Sequence, residues 1–154
     1  MMRIALAAML VPSLVSAQGA WVDQSYIQQC FSQTQQGDSM SSCLGAAANA
    51  CQTIPGNETT LGITECIQAE TQIWDSFLNE QYKQRRAELA EQSPELSDQL
   101  RDAQRAWIGF RDAECGLAYG IWSDGTIRSI VAANCLLTET AERAVELRDL
   151  GKME

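Results

Sequence analysis

The residues of this sequence that could carry covalent or metal chemistry are its six cysteines, because it contains no histidine. Without histidine there is no base for a Ser-His triad and no imidazole ligand for a Cys-His zinc site. A zinc site built from cysteine alone needs close pairs such as Cys-x-x-Cys, and the sequence has none. The cysteines are therefore predicted to be joined in disulfides, and no metal or cofactor is expected.

The N-terminus has the features of a secretory signal peptide. A positive start at Arg3 is followed by a short apolar run over residues 4–11 and by the small residues Val15-Ser16-Ala17. We expect cleavage after Ala17, which divides the chain into a signal peptide, residues 1–17, and one domain, residues 18–154. The apolar run is too short to span a bilayer. Disulfides persist in the bacterial periplasm or outside the cell, which are the expected locations.

Turn positions favour one pairing among the many that six cysteines allow. Cys43 and Cys51 lie eight residues apart on a predicted helix, hence about 12 Å apart, which exceeds the roughly 7 Å that a disulfide spans. If each break joins two antiparallel helices, residues at equal distances from the break face each other. The predicted pairs are Cys30–Cys43 around Gly37, Cys51–Cys66 around the loop after Pro55-Gly56, and Cys115–Cys135 around Asp124.

The longest helical signal is centred on residues 103–115. Ala103, Trp107 and Phe110 recur on one stripe of a helix, and Ala106 widens it, so we predict that Trp107 and Phe110 pack in the core. Ser93-Pro94 is a helix start, with Ser93 as the cap. Past Cys115 two readings stay open: the helix continues through Gly116 and Gly120, or it ends at Gly116.

Helical periodicity also predicts shorter or flanking helices over about residues 21–35, 40–51, 64–92 and 127–147. The predicted caps and stops are Asp38 or Ser39, Thr64, Thr126 or Asp124, and Gly151. No strand-like alternation of useful length is present. The predicted fold is an all-α, disulfide-stapled bundle of about four to five helices arranged in antiparallel hairpins.

Several of these residues together resemble the LprI-type family of secreted or envelope-attached bacterial proteins, which is named for a member that inhibits lysozyme. The resemblance rests on Cys66, Trp74-Asp75, Leu78-Asn79, Tyr82, Ala103-Gln104-Arg105-Ala106-Trp107, Phe110-Arg111, Cys115, Cys135 and Leu137-Thr138. It covers about residues 51–150 and implies an all-helical, disulfide-stapled domain. The segment with Cys30 and Cys43 is an addition to the shorter family pattern.

Asp75, Asn79 and Tyr82 are the polar group that could suggest catalysis, since a carboxylate and a proton donor lie one helical turn apart. The competing interpretation is a buried polar network that fixes the helix register, with Arg111 or Gln104 satisfying Asp75. We favour the network, and we do not expect an enzyme.

The turn beyond Cys115–Cys135 offers the better candidate for binding a partner. Tyr119, Trp122 and Asp124 lie there, and aromatic residues on a rigid protrusion can fill a partner's pocket; the alternative is that Trp122 folds back onto the core. The chain has 20 Asp and Glu against 11 Lys and Arg, a net charge of −9, which argues against nucleic acid as a partner and suits a cationic one.

Two functions from different classes follow. The first is inhibition of a cationic lysozyme-type muramidase, the partner class implied by the resemblance. The second is an accessory or structural role in the cell envelope without inhibitory activity. A monomeric or weakly associating protein is expected in either case.

Overall fold

The computed structural model describes residues 21–35 and 42–152. The predicted signal peptide and its cleavage site, and the predicted turn at Gly37-Asp38-Ser39, lie outside these residues. Within them the chain forms five helices and no strand, which confirms the predicted all-α fold. The helices are α1 (Gln24–Gln33), α2 (Ala46–Gln52), α3 (Thr60–Gln92), α4 (Pro94–Ile121) and α5 (Arg128–Asp149). None of the described helices is both long enough and apolar enough to cross a membrane.

The three long helices form the body of the molecule, and α3 packs most extensively against α5. Ser93 alone separates α3 from α4; its backbone is extended and its side chain accepts a hydrogen bond from the Glu95 amide. Pro94 follows in the first turn of α4, where its missing N–H costs nothing. The predicted helix start at Ser93-Pro94 is therefore confirmed, and α3 and α4 form an antiparallel hairpin.

Helix α4 continues past Cys115 through both glycines to Ile121, which settles the alternative in favour of the long helix. A turn at residues 122–127 then leads into α5. Cys115 and Cys135 are joined across this hairpin with their Cα atoms 5.5 Å apart. The pairs Cys30–Cys43 and Cys51–Cys66 are also bonded, each with Cα atoms 5.7 Å apart, so the bridges are the three that the turn positions predict.

The core lies along α3 and α5 and receives α1 and α2 from one side. Trp74, Phe77 and Phe31 form an aromatic group in which Trp74 meets both phenylalanines edge-on, at centroid distances of 5.9 Å. The other large apolar members of the core are Ile27, Ile67, Leu78, Leu100, Leu137, Val145 and Leu147. Most of these side chains come from α3 and α5, which explains why these two helices make the largest contact.

A buried carboxylate attaches α2 to α3. Glu70 accepts hydrogen bonds from the amides of Gly45 (2.9 Å) and Ala48 (2.7 Å) and from the indole of Trp74 (3.2 Å). Gly45 precedes α2 in a left-handed conformation and supplies no capping side chain. Glu70 thus caps α2 from across the structure, where the helix dipole favours a negative charge.

Arg148 attaches α1 to the end of α5. Its guanidinium donates to the carbonyl oxygens of Phe31 and Thr34 and lies 5.1 Å from the centre of the Phe31 ring. Asp149 holds the guanidinium from the other side at 2.5 Å. The C-terminal carbonyls of α1 are therefore satisfied by a charged side chain from α5.

The predicted caps of three helices are wrong. Helix α2 begins at Ala46 after Gly45, so neither Asp38 nor Ser39 is its cap. Helix α3 begins at Thr60, and Thr59 caps it by accepting from the Gly62 amide at 3.1 Å; Thr64 lies inside the helix. Helix α5 begins at Arg128 after Ile127, without a side-chain cap from Thr126 or Asp124. The predicted stop at Gly151 is confirmed, because this glycine follows α5 with φ of 78°.

The predicted core stripe of α4 is also wrong. Phe110 is 56% exposed, and Ala103 and Ala106 are exposed, whereas Trp107 is only partly buried. The face of α4 that is turned inward carries Ser97, Leu100, Gln104 and Cys115. Polar side chains occupy half of these buried positions, so hydrophobic periodicity assigned the wrong face of the helix.

Candidate functional site

The residues predicted to bind a partner lie at the end of α4, which carries Tyr119, and in the following turn, which carries Trp122 and Asp124. We call these three residues the hairpin tip. Trp122 is 49% exposed and Tyr119 is 40% exposed. Trp122 therefore does not fold back onto the core, which decides between the two readings of its position. Asp124 is exposed beside them.

The hairpin tip is held in place by local contacts. The guanidinium of Arg128 lies 4.9 Å from the centre of the Tyr119 ring and donates to the Ser123 carbonyl at 2.8 Å. Gly125 closes the turn through a 3.0 Å hydrogen bond from its amide to the Trp122 carbonyl. Together with the Cys115–Cys135 bridge, these contacts hold the main chain of the turn and place the Arg128 guanidinium against the Tyr119 ring.

The face around this bridge is acidic. The pKa of Glu139 is raised by partial burial and further by repulsion from Glu142, Glu114 and Glu146. Glu114 lies one residue before Cys115 and Glu139 four residues after Cys135, so these two carboxylates place negative charge beside the bridge.

The residues that carry the family resemblance form a different arrangement, in which Trp107 lies between two arginines. The guanidinium groups of Arg111 and Arg143 lie 5.0 and 5.8 Å from its ring centre. Arg143 also donates to the Gln104 side chain at 3.0 Å. The Gln104–Trp107 part of the motif thus connects α4 to α5 and has a structural role.

Asp75 and Asn79 lie at a cavity of about 290 Å³ between α3 and α4. The Asn79 amide donates to Asp75 at 2.8 Å, and Gln104 and Arg111 have other partners, Arg143 and Asp112. The predicted pairing of Asp75 with Arg111 or Gln104 is therefore wrong. The cavity is lined by Asp75, Leu78, Asn79, Tyr82, Arg101, Gln104, Arg105, Trp107, Ile108 and Arg111.

A second cavity, of about 450 Å³, lies between α1 and α2. Its walls are mostly apolar, with Trp21, Tyr26 and Ile54 around the small side chains of Ala46, Ala47 and Ala50. Asp23 also lines it, and its carboxylate accepts hydrogen bonds from the amides of Ser25 and Tyr26 at the start of α1. Among the described residues, no cluster of cysteine, aspartate and glutamate has a geometry that could hold a metal ion.

Comparison with known protein families decides the assignment. The family described as "Lysozyme inhibitor LprI" matches residues 51–147, from α2 to the last turns of α5. This chain belongs to the LprI family. The matched range contains Cys51–Cys66, Cys115–Cys135 and the hairpin tip, and it excludes α1 with the Cys30–Cys43 bridge.

A relative of this LprI-family chain occurs in Rhizobium meliloti (strain 1021). The two are 31% identical over 121 residues, which cover 70% of this chain and 87% of the relative, described as "Uncharacterized protein R02472". No solved structure gives a significant match. The family description names an inhibitor of an enzyme, and it supplies the partner class that is considered next.

Glu70 is the important residue whose role the sequence did not reveal. It lies among apolar residues on the inward stripe of α3, beside Ile67 and Trp74, yet it is 1% exposed. A carboxylate at a core position of a helical stripe is the signal that could have identified it, because buried charges need partners.

Proposed function

We propose that this protein binds a cationic lysozyme-type muramidase through the hairpin tip and inhibits it in the bacterial periplasm or outside the cell. Membership of the LprI family supports the partner class. In this proposal, Trp122 and Tyr119 enter the active-site cleft of the muramidase, and Asp124 meets its basic rim.

The observation that carries the proposal is the exposure of two aromatic side chains on a turn fixed by a disulfide. Trp122 is 49% exposed and Tyr119 is 40% exposed, so neither side chain is buried in the core. Aromatic residues dominate the binding energy of many interfaces. A tip that is already ordered loses little conformational entropy on binding.

Charge supports the same partner. The chain has a net charge of −9, and the acidic face near the Cys115–Cys135 bridge lies at the base of the tip. Lysozyme-type enzymes cleave sugars with a pair of carboxyl groups in a cleft. An acidic protein is steered toward a cationic enzyme, and salt weakens this steering because charges are screened over about 10 Å at 0.1 M.

The test is a calorimetric titration of the protein against several lysozyme types at low and moderate salt, with a cell-wall clearing assay in parallel. We expect binding that weakens with salt and a loss of clearing activity. Trp122→Ala should raise the Kd by roughly 30-fold or more, the effect of losing an interface anchor.

Trp21→Ala is the matched control, because Trp21 is also exposed but precedes α1, outside the family match. Equal effects of the two variants would remove the tip from the proposal. If the protein produces neither heat nor inhibition at micromolar concentration, the accessory role in the envelope is the better explanation.

A further inference from the structure

The outward face of α4 carries an apolar stripe that nothing in the described chain covers. Its six members recur at spacings of three, four, three, four and four residues, and we call them the α4 stripe. They are Ala103, Ala106, Phe110, Ala113, Leu117 and Ile121. Phe110, Leu117 and Ile121 are 56%, 59% and 69% exposed.

The α4 stripe is separate from both the core and the hairpin tip. At 3.6 residues per turn it lies roughly a third of a turn around the helix from the buried residues Leu100, Gln104 and Cys115. By the same count, Tyr119 lies about half a turn around the helix from Leu117, so the hairpin tip and the α4 stripe are on different faces. The stripe contains no charged residue over its whole length.

From this pattern we infer that the α4 stripe binds a second copy of this chain, with the two α4 helices antiparallel. Apolar residues at alternating spacings of three and four form the seam between two paired helices. A two-fold axis brings the same stripe from each copy into one interface.

The order of large and small residues selects the antiparallel direction. With the helices antiparallel, Phe110 of one copy faces Ala113 of the other, and Leu117 faces Ala106, so each layer joins one large and one small side chain. In this register position 121 faces position 102, so Ile121 lies at the end of the seam, beside Ala103 of the other copy. Parallel helices would place phenylalanine against phenylalanine and alanine against alanine, which leaves alternate layers overfilled and empty.

Charge and area agree with this arrangement. The antiparallel register brings Glu114 of one copy toward Trp107 of the other, where Arg111 and Arg143 lie over the ring. Phe110, Leu117 and Ile121 keep more than half of their surface exposed, so covering them in both copies removes apolar surface from water. Three large side chains and three alanines from each copy make an interface smaller than the roughly 1,200 Å² of a standard complex, so the dimer is weak.

The first test measures the mass of the full oxidised chain by sedimentation equilibrium between about 5 and 500 µM, the range for a small interface. We expect the mass to rise toward two chains, and to rise more at high salt, because salt screens the repulsion between two acidic copies. Ala106→Glu should raise the dimer Kd at least about tenfold by placing a charge in the seam. Ala90→Glu, at an exposed position on α3, should not.

The second test establishes the direction. The double variant Ala106→Glu/Leu117→Lys pairs opposite charges in an antiparallel dimer and like charges in a parallel one. We expect the double variant to dimerise more tightly than Ala106→Glu alone, and high salt to reduce this recovery. A wild-type chain that stays monomeric up to 500 µM, or a double variant that is no better than the single one, overturns the proposal. The proposal is also overturned if the protein is a monomer and Ala106→Glu abolishes inhibition of lysozyme, because the α4 stripe then binds lysozyme.

Discussion

Single side chains decide how the short helices are attached to the long ones. Glu70 satisfies two amides at the start of α2 and the Trp74 indole, and all three donors come from groups that no water reaches easily. Because hydrogen bonds to a charged group are stronger than those between neutral groups, this carboxylate holds the start of α2, and the Cys51–Cys66 bridge holds its end.

Replacing Glu70 by glutamine should destabilise the protein by about 2–3 kcal/mol, because an N–H group then faces an N–H donor and a charged acceptor is lost. Equilibrium unfolding in urea measures this change. Glu65→Gln is the control, since Glu65 lies exposed on the same helix and should change the free energy of unfolding by less than about 0.5 kcal/mol. A Glu70→Gln variant as stable as this control would mean that Glu70 does not hold α2.

Trp74 and Trp107 show how far residue type alone can mislead. Both lie on long helices with another aromatic residue three positions on, but Trp74 is 1% exposed whereas Trp107 is only partly buried and contacts Arg111 and Arg143. We therefore expect the large loss of stability that follows truncation of a core tryptophan for Trp74 and not for Trp107. The sequence could not separate them, because both lie among alanines and aromatics at helical spacing.

At the scale of elements, the α2–α3 loop returns to the first turn of α3 at a very short distance. A Cβ atom added at Gly62 would lie 2.5 Å from the Asn57 Cα and 2.7 Å from its carbonyl oxygen. Asn57 in turn donates to the Cys51 carbonyl at 3.0 Å. The loop can therefore close before Thr60 only because residue 62 has no side chain.

Gly62→Ala should destabilise the protein by about 1–3 kcal/mol, the usual cost of forcing atoms into a packed site. Gly109→Ala provides the opposite case: nothing lies within 4 Å of its added Cβ, and alanine in a helix interior should stabilise by about 0.5–1 kcal/mol. Thermal denaturation of the two variants should shift the Tm in opposite directions. Shifts of the same sign would show that the close approach at Asn57 is not what constrains the loop.

Element boundaries and pairings were predicted from the sequence where local chemistry fixes them. Ser93-Pro94, the break around Asp124 and the stop at Gly151 each act within one turn of a helix. The three disulfides follow from the breaks at Gly37, after Pro55-Gly56 and around Asp124. The inward face of α4 was not predictable, because Ser97 and Gln104 are buried through contacts with Arg86 and Arg143, which are distant in sequence. The choice of the hairpin tip came from its sequence position, and its binding role is still a prediction.

Across the whole molecule, the attachment of α1 makes stability depend on acidity. The hydrogen bond from Arg148, assisted by Lys152, lowers the pKa of Asp149 from 3.8 to about 2. A carboxyl group with a lowered pKa stabilises the folded state above its unfolded pKa, and this contribution is lost as the pH falls through the folded value. The contribution of Asp149 is therefore full above about pH 4 and absent below about pH 2.

Asp149→Asn should reduce stability at pH 6 by roughly 1–2 kcal/mol after allowance for solvent screening, and the difference from the wild type should vanish as the pH approaches 2. Urea unfolding at several pH values between 2 and 6 measures it. Asp112→Asn, which removes the neighbour of Arg111 at an exposed position, should give a small difference that does not depend on pH in this way. A pH-independent loss in Asp149→Asn would assign the effect to packing.

The contact between Arg148 and α1 has a consequence for how this chain can vary among organisms. Arg148 recognises carbonyl oxygens of Phe31 and Thr34, which every amino acid possesses, and it lies one residue beyond the range that matches the family. This part of the attachment does not depend on which side chains stand at positions 31 and 34, whereas Ile27, Phe31 and the Cys30–Cys43 bridge hold α1 through specific side chains. We therefore expect relatives that carry this helix to vary at its exposed positions, such as Gln28 and Gln29, and to keep the buried ones.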